Sequence, residues 1–563
     1  MNFKMKTHFL ALAAASLCCL GCIEVNHTLG GTLVPAAETY TFHTVEVPLE
    51  GITTQMADKM SGYSDSRITI GSIRDEVYGL TTRGSALPLI PLIPNDGSFE
   101  MGSNPVFKRF HFSTAVDTLS YTDPSQLNIL QNVHVYELAK ALDPEEDYDC
   151  NKPIDHLDTP VSKGTPVFAG TDSLSFDFSE AFGKKYLQIT KDDVSSMKKF
   201  LAKFPGIYLG TDSPESEGGR IDMFQVQLGY DKNYNTLLGN FATLYYSAEF
   251  SGVRKDTSLL FYYGATDFYN IDSLLTNYTG TFPQYALNYT GQDSGGRVGT
   301  PTDKIWIQGG GGLKPVISAI SLKRQVEKAI SQVGGNPKDA VINKATLVFP
   351  FEFPEDYREM EFWPYRLSPT CRLEIESDDS EITSFMGLTD ASSSDENQGD
   401  IDRSRMCYAP DITYHMQEVL KIDESKPNDT KTKYLLNGNY DIWLLIMAQE
   451  YQTSVSSTDQ ETQEMLNYLA YSSYYNSMYG GYGGYGGYGY GGYGYGGYGG
   501  YGSYYSNYLN YAMMAQMASQ SQTTVSSTVK LDKDRFYCAA LNGPAVNGGA
   551  PTLKLTFALP NPE

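Results

Sequence analysis

The residues of this chain that could do chemistry are varied in type but sparse in pattern. Past residue 22 there are six histidines, His27, His43, His111, His134, His156 and His415, and no two stand at a metal-ligand spacing. His111 and His134 fall on strand-like segments, where only a partner across a sheet could complete a site. Two acidic stretches offer oxygen ligands: Asp143-Pro144-Glu145-Glu146-Asp147 with Asp149, and Asp390 to Asp402. Neither has the register of a calcium loop, because Asp395-Glu396-Asn397-Gln398-Gly399 brings its glycine one place early and lacks the closing bidentate glutamate. Both read as charged surface loops. A glycosidase needs two carboxylates at a set separation, and 66 acidic residues give no way to select the pair. The glycine run Gly309 to Gly312 follows Ile305-Trp306-Ile307. It lacks the lysine of a phosphate loop and reads as a tight turn feeding a helix. Lys323, Arg324 and Lys328 read as a solvated helix face. There is no G-x-S-x-G elbow and no H-E-x-x-H pair. No catalytic residue, metal ligand or cofactor site is assigned, and the reading leans away from an enzyme.

Cysteine carries the clearest chemical signal. Lys4 and Lys6 precede an apolar run from Phe9 to Leu20, and Leu20-Gly21-Cys22 closes it with small residues. That is the order of a secretory signal, residues 1–21. It resembles a lipobox, in which the thiol of Cys22 is acylated and becomes the new N-terminus, with Cys19 where an aliphatic residue is usual. Residues 22–41 then form a lipidated linker, and the lipid holds the chain to a membrane. Four further cysteines follow, Cys150, Cys371, Cys407 and Cys538. One or two disulfides are open to an exported chain, in any of three connectivities, and a buried free thiol is the other reading for Cys371. Asp117-Thr118-Leu119, Asp172-Ser173-Leu174 and Asp272-Ser273-Leu274 look like acceptor sites for O-glycosylation at Thr118, Ser173 and Ser273.

Composition narrows the partners. The formal charge is −24, and losing Lys4 and Lys6 makes it more negative still, with no basic cluster elsewhere. Nucleic acid is excluded as an expected partner. No later stretch reaches the roughly 18 apolar residues of a membrane helix. The 43 tyrosines are the one excess suited to binding, since a ring is apolar on its faces and wet at its hydroxyl and can stack on sugars or on partner side chains.

The elements that must carry these residues are mostly strands. Ala345, Leu347, Phe349, Phe351 and Phe353 alternate, as do Cys371, Leu373 and Ile375, and Leu553, Leu555, Phe557 and Leu559. Phe110 with Phe112, Val133 with Val135, and Leu174, Phe176 and Phe178 do the same. Period two means half-buried antiparallel strands. Helical spacing is confined to Val194, Met197, Leu201 and Phe204, to Leu322, Val326, Ile330 and Val333, and to Ile412, Met416, Val419 and Leu420. The expected fold is mainly β: two jelly-roll-like antiparallel β-sandwiches, 42–300 and 301–563, with a few short covering helices. The second contains an excursion, 453–523, whose tip, 479–502, is glycine and tyrosine alone and is expected to be disordered.

Five phrases occur in order. They are Ile70-Gly71-Ser72 with Asp75-Glu76-Val77-Tyr78-Gly79; Val135-Tyr136-Glu137-Leu138; Phe204-Pro205-Gly206-Ile207-Tyr208; Trp306-Ile307-Gln308-Gly309-Gly310-Gly311-Gly312-Leu313; and Ile342-Asn343-Lys344-Ala345-Thr346-Leu347. Together the chain resembles the Bacteroidota lipoprotein family with domain of unknown function 4270, over most of Phe42 to Leu559. The resemblance implies an exported, lipid-anchored outer-membrane protein, facing either the periplasm or the surface, and carries over no catalytic residue. The expected role is non-enzymatic binding of glycan or another envelope component. The alternatives are a polysaccharide-active hydrolase, or a surface adhesin acting through the Gly/Tyr insertion.

Overall fold

The first strand of the fold, Tyr40–Pro48, pairs along its whole length with the last, Thr552–Pro560. The computed structural model describes residues 39–561 apart from 65–66, 94–98, 118–129, 144–145, 147, 172, 227, 232–235, 266–267, 269–284, 378–379, 391–397 and 457–521. The chain is mainly β, with several antiparallel sheets around two large apolar cores. The second core lies between two sheets. One runs Tyr40–Pro48, Thr552–Pro560, Val341–Pro350, Cys407–Tyr408 and Ile401–Asp402. The other runs Ile52–Met56, Leu313–Ile317, Ile442–Ser456, Arg366–Ser377 and Ser380–Gly387. Alternation dictates the packing: Leu347, Phe349, Leu555 and Phe557 point inward and are fully buried.

This corrects the expected boundary. Residues 40–56, divided at 41/42 between the expected linker and the 42–300 unit, pair with the strands of the C-terminal sandwich, where Leu49 and Ile52 join its core. Hydrogen-bonded register with partners hundreds of residues away decides the matter, and no local pattern encodes it. The first sandwich is therefore inserted between the strands Ile52–Met56 and Leu313–Ile317, which pair directly.

The inserted sandwich has a nine-stranded sheet containing, in order, Val167–Phe168, Gln131–Leu138, Ile207–Thr211, Gly79–Leu87, Ala286–Gln292 and Tyr63–Ser64. A five-stranded sheet built on Ser103–Ala115 and Ala242–Phe250 faces it. Between them Phe110 packs on Phe178 at 4.6 Å, with Phe182, Tyr186 and Phe261 around it. Phe182 and Tyr186 lie on the helix Glu180–Tyr186, which Ser179 caps and which the alternation did not reveal.

Of the expected helices, Ala319–Gln332 buries Leu322, Val326 and Ile330, but Val333 at its end is exposed. Lys323 is not solvated. Only 4% of it is exposed, and its ammonium donates to the Ile422 carbonyl at 2.6 Å and to Glu424 at 3.0 Å. Phe353 is likewise outside the strand, which ends at Pro350, and is exposed. The excursion leaves on a ribbon in which Ile442–Ser456 pairs with Gln522–Leu531 as far as Ser456↔Gln522. The Gly/Tyr tip lies outside the described residues.

The two sandwiches meet on buried polar groups. Arg83, 1% exposed, donates to Thr290 and to the carbonyls of Lys533 and Arg535. Asn288 donates to Asp534 at 3.1 Å, and Gln308 to the Tyr78 carbonyl at 3.2 Å. Tyr78 also meets Trp306 edge-on at 5.5 Å, so two of the five ordered phrases touch here. The glycine run packs against this seam: a Cβ on Gly311 would come within 2.7 Å of the Cys150 sulfur. Its carbonyls turn inward. Lys314 donates to those of Gln308, Gly310 and Gly312. A phosphate cradle presents N–H groups instead, so the run is a turn, leading into the strand Leu313–Ile317 before the helix begins.

Candidate functional site

The outer face of the nine-stranded sheet is where the sequence departs most from the expected pattern. Val133, Val135, Ile207 and Leu209 point inward and are fully buried, so His134, Tyr136, Tyr208 and Gly210 point outward. On a solvated face these positions are ordinarily polar. Here they form a column of rings. Tyr136 and Tyr208 are direct cross-strand partners. His156, from the neighbouring strand His156–Pro160, inserts between them. Its ring is 4.5 Å from Tyr136 with planes 6° apart, and 4.7 Å from Tyr208 with planes 15° apart. His134 continues the column, 6.2 Å from Tyr136 at 18°. All four rings are half-buried.

Glycine makes room for them. Tyr208 leans over the strand Gly79–Leu87, where a Cβ on Gly84 would sit 2.2 Å from the Tyr208 hydroxyl. A Cβ on Gly210 would lie 2.9 Å from the same ring. Gly within a strand weakens it unless something approaches closely, and the tyrosine is that something. Burial, then Tyr289 and Tyr136, push the Tyr208 hydroxyl up to about 12, so it stays protonated and able to donate.

Polar groups border the column. The His134 Nε2 atom is 2.6 Å from Asp212, and Asn132 donates to the other oxygen at 2.9 Å. These hydrogen bonds, Asn132 first, hold the Asp212 carboxyl below the ordinary carboxylate range. It is therefore an ionised acceptor, 60% exposed, beside stacked rings. That combination is chemically suited to hydroxylated, ring-shaped ligands: ring faces can meet C–H surfaces while a carboxylate and an amide meet hydroxyls. A general acid needs the opposite shift, a raised carboxyl.

The residues singled out from the sequence are placed elsewhere. Cys22, Thr118 and Ser273 lie outside the described residues. Ser173 is exposed at the start of an edge strand, with Leu174 buried beneath it. Asp117 is fully buried and paired with Arg67 at 2.7 Å. Of the two readings open for the cysteines, disulfide or buried thiol, the structure has the second: Cys150, Cys371, Cys407 and Cys538 are free and buried. They sit on separate elements, with Cys371, Cys407 and Cys538 on three different strands. Burial raises each thiol. Three described residues of the acidic stretches are spent on structure. Asp149 pairs with Lys152 at 2.8 Å, Asp390 accepts the N–H groups of Tyr414 and His415 at the start of a helix, and Asp400 pairs with Arg366. Among the described residues no group of three or more metal-binding side chains converges, and no helix is long and apolar enough to cross a membrane.

Reasoning from the sequence missed the column. Its one readable signal was the outward alternation of His134 and Tyr136, since Tyr208 and His156 arrive from other strands. Two of the ordered phrases, Val135–Leu138 and Phe204–Tyr208, supply Tyr136 and Tyr208 and lie side by side in the sheet. Comparison of the chain with protein-family models, curated proteins and solved structures finds no match.

Proposed function

We propose that this chain is an exported, lipid-anchored outer-membrane protein that binds glycan without cleaving it, through the His134–Tyr136–His156–Tyr208 column. The observation that carries the reading is the column itself: parallel, half-buried rings on an outward sheet face, bordered by an ionised Asp212 and the Asn132 amide. A face of this kind gains from an apolar ligand surface and supplies hydroxyl partners at its rim. The lowered Asp212 carboxyl favours binding over hydrolysis there. The signal ending at Cys22 and the five ordered phrases support export, acylation and the resemblance to the Bacteroidota lipoproteins; the resemblance rests on those phrases alone.

The test is a panel of soluble polysaccharides incubated with the purified chain, following both bound ligand and released sugar. Binding without product, lost in Tyr208→Ala, is the expected outcome. Release of reducing ends would transfer the chain to the hydrolases. For the anchor, Cys22→Ala should move the protein from the membrane fraction to the soluble one, and retention in the membrane would sink that part of the proposal.

A further inference from the structure

On the other sandwich, four adjacent strands and one turn enclose a cleft of about 210 Å³. Its floor is the outer face of the second sheet, where Val316 and Trp443 are cross-strand partners and pack in a small cluster apart from the main core. Gln55 comes from one edge of this row and Arg372 from the other. Asn437, Asn439 and Asp441 come from the turn between the helix Thr430–Leu436 and the strand Ile442–Ser456.

The polar groups are arranged with their capacities half used. One Asp441 oxygen accepts the Ala319 N–H at 2.8 Å, at the start of the long helix. The other stands over Gly438, 3.1 Å from where a Cβ would be, and has no hydrogen-bond donor among the described residues. Gln55 donates its amide to Thr53 at 3.1 Å, which leaves its carbonyl oxygen as an acceptor. The carboxamides of Asn437 and Asn439 make no hydrogen bond among the described residues, although Asn439 is only 6% exposed. Arg372 lies over the Trp443 ring at 5.0 Å and 3.9 Å from Asp58, so its charge is already engaged.

We infer that this cleft is a binding site for a single neutral, polyhydroxylated ring of pyranose size. The Arg372 guanidinium is already engaged by the Trp443 ring and Asp58, which disfavours an anionic ligand, and the second Asp441 oxygen is left as an acceptor for a hydroxyl. What is left over is a mixed set of acceptors and carboxamides, the complement of vicinal hydroxyls, which both donate and accept. The volume is below the roughly 300 Å³ at which drug-sized ligand sites begin, so one ring fits and a chain of them does not. The inference is independent of the aromatic column on the first sandwich.

Saturation-transfer NMR and calorimetry on the full chain, with the methyl α-glycosides of glucose, galactose and mannose as probes, test it. At least one probe should bind with a millimolar Kd, and the double variant Gln55→Ala/Asn437→Ala should weaken it at least fivefold with an unchanged melting temperature. Tyr208→Ala, in the other sandwich, should leave this binding as it was. The inference is overturned if no probe binds, if the double variant binds as tightly as the native chain, or if Tyr208→Ala abolishes the monosaccharide signal, which would place the binding at the column.

Discussion

Replacing Gly84 by alanine separates the proposed binding by the aromatic column from the stability of the sheet that carries it. No left-handed backbone is involved at Gly84, so alanine is sterically allowed there by its own dihedral angles. The obstacle is Tyr208: the new Cβ would lie 2.2 Å from its hydroxyl, 2.7 Å from Cζ and 2.9 Å from Cε2. Contact requires about 3.5 Å, so the ring must swing away by about 1 Å or more. The atoms it meets are the far end of a side chain, and the strand need not move. Swinging the ring forfeits its stacking on His156, worth about 0.5 to 1.5 kcal/mol. Alanine in a strand recovers about 0.5 to 1 kcal/mol over glycine. The two nearly cancel, and the melting temperature should shift by no more than a few degrees.

Binding has no such compensation. If each ring of the column contributes about 1 kcal/mol of stacking to a bound sugar, displacing Tyr208 should weaken glycan affinity about fivefold. Tyr208→Ala should weaken it by as much or more. Calorimetry with the polysaccharide selected by the panel, together with thermal denaturation, reads both quantities. Unchanged affinity in Gly84→Ala, with NMR showing the Tyr208 ring displaced, would refute the assignment of the column as the binding face.

Three further outcomes follow from buried groups. Burial pushes Lys314 down to about 7, yet its ammonium fills a ring of three carbonyls; Lys314→Met takes that donor away, the Gly312 carbonyl alone keeping the Ala57 N–H among the described backbone bonds, and should lower unfolding stability by about 1 to 3 kcal/mol in urea titrations, and an unchanged midpoint would contradict the seam described here. Burial depresses His415 to about 4, against a hydrogen bond to the Tyr440 carbonyl that raises it. The unfolded chain binds the extra proton below about 6.5, so this residue's share of stability, about 3 kcal/mol, is present at neutral pH and lost between about 6.5 and 4. Asp222 runs the other way, since burial raises it to about 7 beside Arg220 and its share falls as pH rises from about 4 to 7. The total can therefore look flat, and the difference in slope between the native chain and His415→Gln is the quantity to measure; no difference would refute the assignment. Finally, the four buried cysteines should be inert to a thiol reagent in the native chain and all react after denaturation without reductant, and a disulfide-linked peptide in the digest would contradict this.

How much of this was legible depends on how far apart the partners lie. Val133 with Val135 and Leu553, Leu555 and Phe557 alternate within single strands, and the sequence exposes them because each strand needs only its own pleat to be recognised. Leu322, Val326 and Ile330 were equally readable at helical spacing. Lys323 was not, because the groups that satisfy its charge, Ile422 and Glu424, stand about a hundred residues away. Strand Tyr40–Pro48 was misplaced for the same reason at five times the separation, its partner being Thr552–Pro560.

The column is the extreme case. His134 and Tyr136 alone are an unremarkable outward pair, His156 alone is a loop-edge histidine, and Gly84 and Gly210 alone are weaknesses in strands. Only register turns them into one object, by setting Tyr136 opposite Tyr208 and the strand His156–Pro160 beside the one that carries Tyr136. Each departure from strand preference is locally unfavourable: a glycine costs about 0.5 to 1 kcal/mol, and half-buried rings leave apolar surface in water. Yet Gly84 and Gly210 converge on one tyrosine and the rings stack within 5 Å of one another around His156. Local costs that meet at a single outward point are expected where binding, not folding, offsets them.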